Sequence, residues 1–279
     1  MALRFSQTPR LLKLFFALIF LLPLVTPVNF VVIQPGEGTP LFPKVLQVKS
    51  KDIQIYKPTG QVYLLSIWVS TSDAKILGAE ALGCWVRAEC VLFPRSVIYK
   101  RNTTAVKEEK KAKLEMKVSQ SDAISATKKY LAKNYPSIDT SKLSDSSLKV
   151  SLPNVGGPSG GLIFTIGLID LLTPEDILQG RKIAGSGTIT ADGKVGPIGG
   201  ISEKIIAAKR TGATVLFASR DNCNEIAKEV TGISVVAIST LDEALGYLRQ
   251  PSHSDFRGVT GCTNLGLSLI HISEPTRPY

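Results

Sequence analysis

The stretch Asn-Val-Gly-Gly-Pro-Ser-Gly-Gly, residues 154–161, decides how the surrounding chain folds. It follows a predicted strand at residues 147–152 and precedes a mostly apolar run, residues 162–172, that is typical of a buried helix. Ser159 therefore lies in a glycine-rich turn at the start of a helix, where unpaired backbone N–H groups can stabilise an oxyanion. The glycines let the backbone bend sharply and approach another molecule closely. The turn alone is compatible with a serine nucleophile, a phosphate site or a simple tight connection.

A serine nucleophile needs a base, and the sequence offers a lysine rather than a histidine for this role. His253 and His271 are the two histidines, and both lie in the last stretch, outside any segment with a fold pattern. Lys204 lies in the first turns of a predicted helix after a Gly/Pro-rich turn, with isoleucines beside it. At pH 7 an ordinary lysine is about 3.4 units below its pKa, so holding it neutral costs roughly 4.6 kcal/mol, which burial can supply. The alternative is that Lys204 is a solvated helix residue like Lys209.

Residues 154–161 and 185–204 together resemble the two catalytic motifs of the Lon-type (S16) serine proteases. The first stretch is similar to that family's Gly-Pro-Ser-Ala-Gly motif, and the second is similar to its lysine motif along its whole length. The similarity continues to about residue 249. The resemblance implies that Ser159 is the nucleophile and Lys204 the general base. It also implies that Ser186 stands where the family commonly has a threonine that helps to hold the lysine.

The turn around Ser159 supplies the supporting residues that the resemblance implies, namely Gly157, Pro158 and Gly160. Backbone N–H groups of the Gly157–Gly160 turn are expected to hold the oxyanion. Two residues depart from the family pattern. Gly160 replaces the usual alanine after the serine, and Gly156 stands where many members carry a polar or acidic residue. Neither departure removes the serine–lysine pair, but Gly156 leaves the local substrate contacts open.

Alternating strands and helices predict an α/β domain, and the resemblance implies the Lon proteolytic fold of ribosomal S5 domain 2-like type. We place this domain at residues 55–250, with a catalytic core at 147–250. The pattern predicts helices at 74–82, 107–135, 222–230 and 240–248, and strands at 45–48, 60–70, 183–190, 214–219 and 234–238. By resemblance, the substrates are proteins or peptides, and the chain assembles as a ring, often a hexamer. No metal or cofactor is expected.

The N-terminal segment predicts a membrane anchor. Residues 1–13 carry three basic residues and no acidic one, and residues 14–33 are apolar over the length that spans a bilayer. The basic flank predicts a cytoplasmic N-terminus, a single transmembrane helix at 14–33 and a catalytic domain outside the cytoplasm, at the cell membrane. A cleavable signal peptide is the competing interpretation. Residues 34–54 are rich in proline and glycine and are predicted to form a linker.

Charge and cysteine content exclude some function classes. The net charge is +10, but no aromatic residues alternate with the basic ones, so nucleic-acid binding is not expected. The excess charge fits a solvated face or anionic lipid headgroups. The four cysteines lack zinc-site spacing. Cys84 and Cys90 are compatible with a disulfide outside the cytoplasm and equally with two buried thiols.

The sequence also contains a second Ser/Lys pattern and a C-terminal stretch without a fold pattern. Ser125 and Lys128 match the Ser-x-x-Lys signature of penicillin-binding proteins, but the companion motifs are missing from the sequence. Residues 251–279 show no fold pattern, and residues 267–277 resemble the translation of a sequencing-library adapter. We therefore predict an unstructured tail there.

The sequence contains no Gly-x-x-x-x-Gly-Lys-[Ser/Thr] motif, so no ATPase module is predicted. Together these features predict a membrane-anchored, ATP-independent serine endopeptidase that uses a Ser159–Lys204 dyad and an acyl-enzyme. The alternative is a membrane-anchored scaffold that keeps the fold without turnover.

Overall fold

The structure, a computed structural model, describes residues 9–152, 155–227, 229–250 and 258–262. A central sheet of seven strands organises these residues, and helices cover both of its faces.

The secondary-structure elements have the following bounds. The strands are β1 Pro27–Val28, β2 Phe30–Pro40, β3 Leu46–Val48, β4 Gln61–Val69, β5 Ile76–Leu77, β6 Val91–Pro94, β7 Leu148–Val150, β8 Lys182–Ser186, β9 Thr188–Ile189, β10 Val195–Gly196, β11 Val215–Ser219, β12 Ser234–Ile238 and β13 Gly258–Thr260. The α-helices are α1 Arg10–Val25, α2 Gly78–Trp85, α3 Arg95–Ile98, α4 Ala105–Asn134, α5 Gly161–Leu172, α6 Ile201–Arg210 and α7 Leu241–Arg249. Short helical turns occur at Leu41–Val45, Asp145–Ser147, Pro158–Gly160 and Arg220–Glu225.

The central sheet has the strand order β13-β12-β11-β8-β4-β2-β6. The strands from β13 to β4 pair in parallel, and β2 pairs antiparallel with both β4 and β6. Parallel strands joined by helices are buried on both faces. Strand β11 shows this, because Val215 and Phe217 pack into one core while Leu216 and Ala218 pack into the other. The predicted α/β class is consistent with this architecture.

Helix α5 forms the centre of the larger core. All twelve of its residues are buried, as its apolar sequence predicts. It packs against the sheet together with α4 and α7, whereas α6 covers the opposite face. Gly167 lets α5 lie close to the turn at Leu41–Val45, because a Cβ atom there would be 2.3 Å from Leu41 Cδ2. The helices predicted at 107–135, 162–172 and 240–248 and the strands predicted at 60–70, 214–219 and 234–238 are present within two residues of their predicted ends.

The predicted transmembrane helix at residues 14–33 is wrong in its extent. Helix α1 ends at Val25, and a 16-residue helix is about 24 Å long, short of the roughly 30 Å hydrocarbon core. The chain then enters β2, where Val31, Val32 and Ile33 pair with β6 and are buried in the sheet. Their β-branched side chains favour this strand over a continued helix. Within the part of the chain that the structure covers, no helix is long and apolar enough to cross a membrane.

Three other predictions need correction. The linker predicted at 34–54 is wrong, because residues 34–40 belong to β2 and β3 pairs with β7. The folded domain therefore begins before residue 55. The helix predicted at 222–230 is instead a short helical turn at Arg220–Glu225, which begins where Ser219 Oγ accepts a hydrogen bond from the Asp221 N–H. The tail predicted at 251–279 contains β13, which extends the sheet beside β12, and its other residues, apart from Gly261 and Cys262, lie outside the described ones.

The cysteines form two disulfides, which settles the alternative that the sequence left open. Cys84 bonds to Cys90 beside α2, and Cys223 bonds to Cys262 after β13. The second bond joins segments 39 residues apart and ties the end of the sheet to the Arg220–Glu225 turn.

Candidate active site

Ser159 lies where the predicted turn places it, in the helical turn that leads into α5. Gly157 precedes the turn with φ = 93°, in the left-handed region that glycine adopts without strain. Ser159 is half-buried and lines an open cleft. The first residue of α5 packs closely against β9, since a Cβ atom on Gly161 would be 2.7 Å from Ile189 Cγ2.

Three hydrogen bonds from two elements fix the turn at Gly157–Gly160, called the serine turn below. From α4, the Ser119 hydroxyl donates to the Pro158 carbonyl at 2.9 Å. The Gly157 N–H donates to the Ala112 carbonyl of the same helix at 2.8 Å. From the link between β8 and β9, the Gly187 N–H donates to the Ser159 carbonyl at 3.0 Å. The turn is therefore held on both sides before any substrate binds.

These bonds narrow the predicted set of oxyanion donors. The Gly157 N–H already has an acceptor, and Pro158 has no N–H to offer. The backbone N–H groups that remain in the turn are those of Ser159 and Gly160. Gly156, whose departure from the family pattern left substrate contacts open, lies against α4, where a Cβ atom would be 2.7 Å from that of Ala112. A larger residue does not fit there without movement. Asn154, at the start of the motif, lies outside the described residues.

Lys204 reaches the same cleft from the opposite face of the sheet. It lies in the first turns of α6, which follows Gly200 in a left-handed conformation with φ = 69°. Only 3% of Lys204 is exposed. Its Nζ donates to Ser186 Oγ at 3.0 Å, and Ser186 Oγ in turn donates to the Ser159 carbonyl at 3.3 Å. Ser186 thus connects the lysine to the serine turn through a single buried hydroxyl.

The environment of Lys204 makes its neutral form accessible. Burial lowers the pKa of Lys204 to about 8, and the negative charge of Glu203 acts in the opposite direction. At pH 7 the neutral amine then costs about 1.4 kcal/mol, against roughly 4.6 kcal/mol for an ordinary lysine. The alternative that Lys204 is solvated like Lys209 is wrong, because Lys209 is exposed and Lys204 is buried.

The cleft that joins these residues has a volume of about 1310 Å³. The serine turn, Thr188, Lys204 and the segment Pro197–Gly199 line it. Further lining residues come from β2, β4 and α4 and include both apolar and charged side chains; among them are Glu37, Ser66, Ile67, Trp68, Lys111, Glu115 and Met116. This volume exceeds the range of about 300–1,000 Å³ that is typical of small-molecule pockets.

The remaining predicted residues fall as follows. Gly157 is at the start of the serine turn, and Pro158 and Gly160 line the cleft beside Ser159. Gly160 is buried, and a Cβ atom there would be 2.8 Å from Leu64 Cδ1 and 2.9 Å from Phe164 Cε2, so glycine fits where the family usually has alanine. The rival Ser125 bonds to the carbonyl of Ser121 in its own helix and does not line the cleft.

Sequence reasoning missed two groups that support the site. Ser119 of α4 holds the serine turn, and Asn222 holds the loop before α6. Asn222 follows the carboxyl end of β11, the edge at which α/β sheets place their sites, and this position was a usable signal. No signal in the sequence indicates the role of Ser119, because its partner Pro158 is 39 residues away.

The fold and the cleft define an α/β domain that pairs a serine at one helix start with a buried lysine at another. A family model described as the Lon protease (S16) C-terminal proteolytic domain matches residues 100–248, more than half of the chain. The chain therefore belongs to the Lon protease (S16) family.

Curated relatives show the same similarity. The chain is 38% identical over 115 residues to the mitochondrial Lon protease homolog of Debaryomyces hansenii, which is 40% of this chain and 10% of that protein. It is 33% identical over 107 residues to Lon protease 2 of Bacillus subtilis, 37% of this chain and 19% of that protein. It is 38% identical over 93 residues to Lon protease of Porphyromonas gingivalis, 32% of this chain and 11% of that protein. The match thus spans about a tenth to a fifth of these relatives.

Proposed function

We propose that the domain is a serine endopeptidase in which Ser159 attacks the peptide carbonyl and Lys204 is the general base. The observation that carries the proposal is the buried Lys204 amine, bonded to Ser186 at 3.0 Å in the cleft that Ser159 also lines. Family membership supports the same reaction class. An exposed lysine would be protonated at neutral pH, whereas this one can accept a proton.

In this mechanism the neutral Lys204 amine takes the proton from Ser159 Oγ as the oxygen bonds to the substrate carbonyl carbon. The N–H groups of Ser159 and Gly160 stabilise the resulting oxyanion. The protonated lysine then gives its proton to the leaving amine, and the C–N bond breaks to leave an acyl-enzyme. Water, deprotonated by the same lysine, attacks the ester carbonyl and releases Ser159. The cost of reaching the neutral amine, about 1.4 kcal/mol, is small beside the barrier of amide hydrolysis.

The substrate we propose is an extended, unstructured protein segment, and cleavage by this chain uses no ATP. The size of the cleft supports an extended segment, and its walls offer apolar groups such as Met116 and Trp68. The sequence contains no phosphate-binding Gly-x-x-x-x-Gly-Lys-[Ser/Thr] motif that would couple ATP to unfolding. A substrate that is already unfolded needs no such coupling.

We also propose that α1 attaches the chain to a membrane and that the catalytic domain lies outside the cytoplasm, assembled as a ring. Every large apolar side chain of α1 from Leu11 to Leu22 is exposed. Together they form a larger apolar surface than a helix that faces water usually has. Arg10 and Lys13 at its start suit anionic headgroups. Two disulfides are typical of oxidising compartments.

Co-sedimentation of the full chain with anionic vesicles tests the attachment, and no binding would refute it. Sizing in detergent tests the ring, and a monomer would refute it.

The catalytic proposal is tested by incubating the full chain with β-casein in the absence of ATP. We expect cleavage by the wild type and its loss in both Ser159→Ala and Lys204→Met. Matched controls are Ser137→Ala and Lys209→Met, which change the same residue types at exposed positions. Both controls are expected to retain wild-type rates. Cleavage that survives Ser159→Ala places the chemistry elsewhere, and an assembled but inert wild type supports the scaffold alternative.

A further inference from the structure

Asn222 is buried, and its side-chain amide forms hydrogen bonds to both backbone groups of Ile198. It is 1% exposed. Its Oδ1 accepts a hydrogen bond from the Ile198 N–H at 3.0 Å, and its Nδ2 donates to the Ile198 carbonyl at 2.8 Å. Nδ2 also donates to Glu225 Oε1 at 3.2 Å. An amide that satisfies both backbone groups of one residue fixes its position and its peptide planes, as a neighbouring strand would.

Ile198 belongs to the segment that carries Lys204 into the cleft. Its neighbours Pro197 and Gly199 line the cleft with it, and α6 begins three residues later. The left-handed Gly200 turns the chain into α6, and its carbonyl accepts from the Lys204 N–H at 3.0 Å. A displacement of Ile198 is therefore passed through two residues to the first turn of the helix that holds the lysine.

The segment that bears Asn222 is itself anchored. Cys223, the next residue, is bonded to Cys262 beyond β13. The Glu225 carbonyl accepts from the Ser202 hydroxyl at 2.9 Å, a second link between the Arg220–Glu225 turn and the start of α6. The turn is thus attached to the sheet by a covalent bond and to the lysine helix by polar contacts.

From these contacts we infer that Asn222 is a positioning residue of the active site, which sets the location of Lys204 by holding Ile198. The inference rests on the proposed Ser159–Lys204 chemistry. Without the amide, the buried N–H and carbonyl of Ile198 lose their partners, and the segment Pro197–Gly200 must move or admit water to satisfy them. Water beside Lys204 would favour its charged form, which cannot act as a base, and a shift of about 1 Å in the lysine lowers the rate further.

The test compares Asn222→Ala with Asn224→Ala in the full chain. Asn224 is the same residue type in the same short turn, and it is exposed. For Asn222→Ala we expect kcat to fall 10- to 100-fold, with KM within about threefold of wild type. The apparent pKa in the kcat/KM profile should rise from near 8 toward the ordinary lysine value. Glu203, beside Lys204 in the same helix, raises the pKa of Lys204, and the other charged groups that line the cleft are Glu37, Lys111 and Glu115. Asn224→Ala should stay within twofold on every measure.

Asn222→Ser keeps a short polar group that cannot reach both backbone groups of Ile198 and adds no charge beside Glu225, so it remains informative if Asn222→Ala does not fold. It should show an intermediate loss of kcat. Amide hydrogen exchange of the peptide that contains Ile198 should be faster in both Asn222 variants. Faster exchange with unchanged kcat and an unchanged pH profile overturns the inference and leaves the proposed function intact. If wild type and Ser159→Ala are equally inactive, the proposed function fails, and the positioning role fails with it.

Discussion

Each of the two helices at the candidate active site carries a buried ionisable side chain whose pKa is shifted by burial, with different results. Helix α5 carries Asp170, which is 3% exposed, and burial raises its pKa to about 6. Helix α6 carries Lys204, also 3% exposed, and burial lowers its pKa to about 8. In both cases removal from water disfavours the charged form. At Asp170 this destabilisation is complete above about pH 6, and at Lys204 it is complete below about pH 8, so both oppose folding at pH 7.

The difference lies in what each charged group faces. Asp170 Oδ1 accepts a hydrogen bond from the Ile177 N–H and closes the turn that follows α5, whereas Oδ2 has no partner among the described residues. Lys204 instead donates to a hydroxyl that is bonded to the serine turn, and it lines the cleft. A shifted pKa is therefore not a sufficient sign of a catalytic residue. The group must also adjoin the atoms that react.

The largest expected effect is a loss of activity when Lys204 can no longer become neutral. Lys204→Arg replaces the base with a group that cannot lose its proton in proteins, so we expect kcat/KM to fall at least 10³-fold at every pH from 6 to 10. The wild type should gain activity as pH rises through about 8, because the active lysine is neutral. Initial rates on an unstructured substrate measure both.

The matched control is Asp170→Asn, which keeps the acceptor for Ile177 and removes the buried charge of α5. Its pH–rate profile should coincide with that of the wild type. A profile that shifts in Asp170→Asn, or substantial activity in Lys204→Arg, would show that the two buried charges do not have separate roles.

The next largest effect is on stability, where replacement of Lys204 should be a gain rather than a loss. Because the pKa of Lys204 lies about 2.5 units below its ordinary value, its burial costs roughly 3 kcal/mol below pH 8. Lys204→Met removes that cost and keeps the apolar stem, so we expect the free energy of unfolding at pH 7 to rise by up to this amount. The gain should shrink as pH rises from 8 to 10.5. Urea unfolding with the disulfides intact measures it.

Lys209→Met, at an exposed position of the same helix, should change the free energy of unfolding by less than about 0.5 kcal/mol. If Lys204→Met were instead no more stable than the wild type, the bond from Lys204 to Ser186 would have to offset its desolvation. The inactive variant would then not be the more stable one.

The sequence was sufficient for the parts of the molecule that local patterns control. The apolar run of α5 predicts a fully buried helix, and the Thr240 cap predicts the start of α7, where its hydroxyl accepts from the Glu243 N–H. The two motifs place Ser159 and Lys204, because glycine turns before helices are local features. Even so, helix physics alone left Lys204 between a buried and a solvated residue. Its burial depends on which face of the sheet α6 covers, a tertiary property.

The predictions failed where long-range pairing overrides local pattern. The Pro/Gly-rich residues 34–40 look like a linker, yet they form part of β2 because β4 pairs along them, and a bulge between Pro35 and Gly38 accommodates their composition. The apolar run from 14 to 33 is divided between α1 and β2 for the same reason. Asn222 reads as the start of a helix, but its side chain is used by a residue 24 positions earlier. The position of Asn222 after β11 marks it as a candidate site residue, but no local pattern identifies Ile198 as its partner.

The smallest effect we predict concerns Ser186, the hydroxyl through which the lysine of α6 meets the turn of α5. A neutral amine has one lone pair, and donation from Nζ to Ser186 Oγ at 3.0 Å leaves that lone pair free to point elsewhere in the cleft. Ser186→Ala removes this orientation without touching the base itself, so we expect kcat to fall about tenfold with KM little changed.

Ser186→Thr restores the hydroxyl and should return kcat to within about threefold of wild type, although Ser186 is fully buried and the added methyl group must find space. If alanine and threonine were equally impaired, packing around residue 186 rather than its hydroxyl would matter. If both were fully active, Lys204 would be oriented by α6 alone, and the link between the two helices would have no part in catalysis.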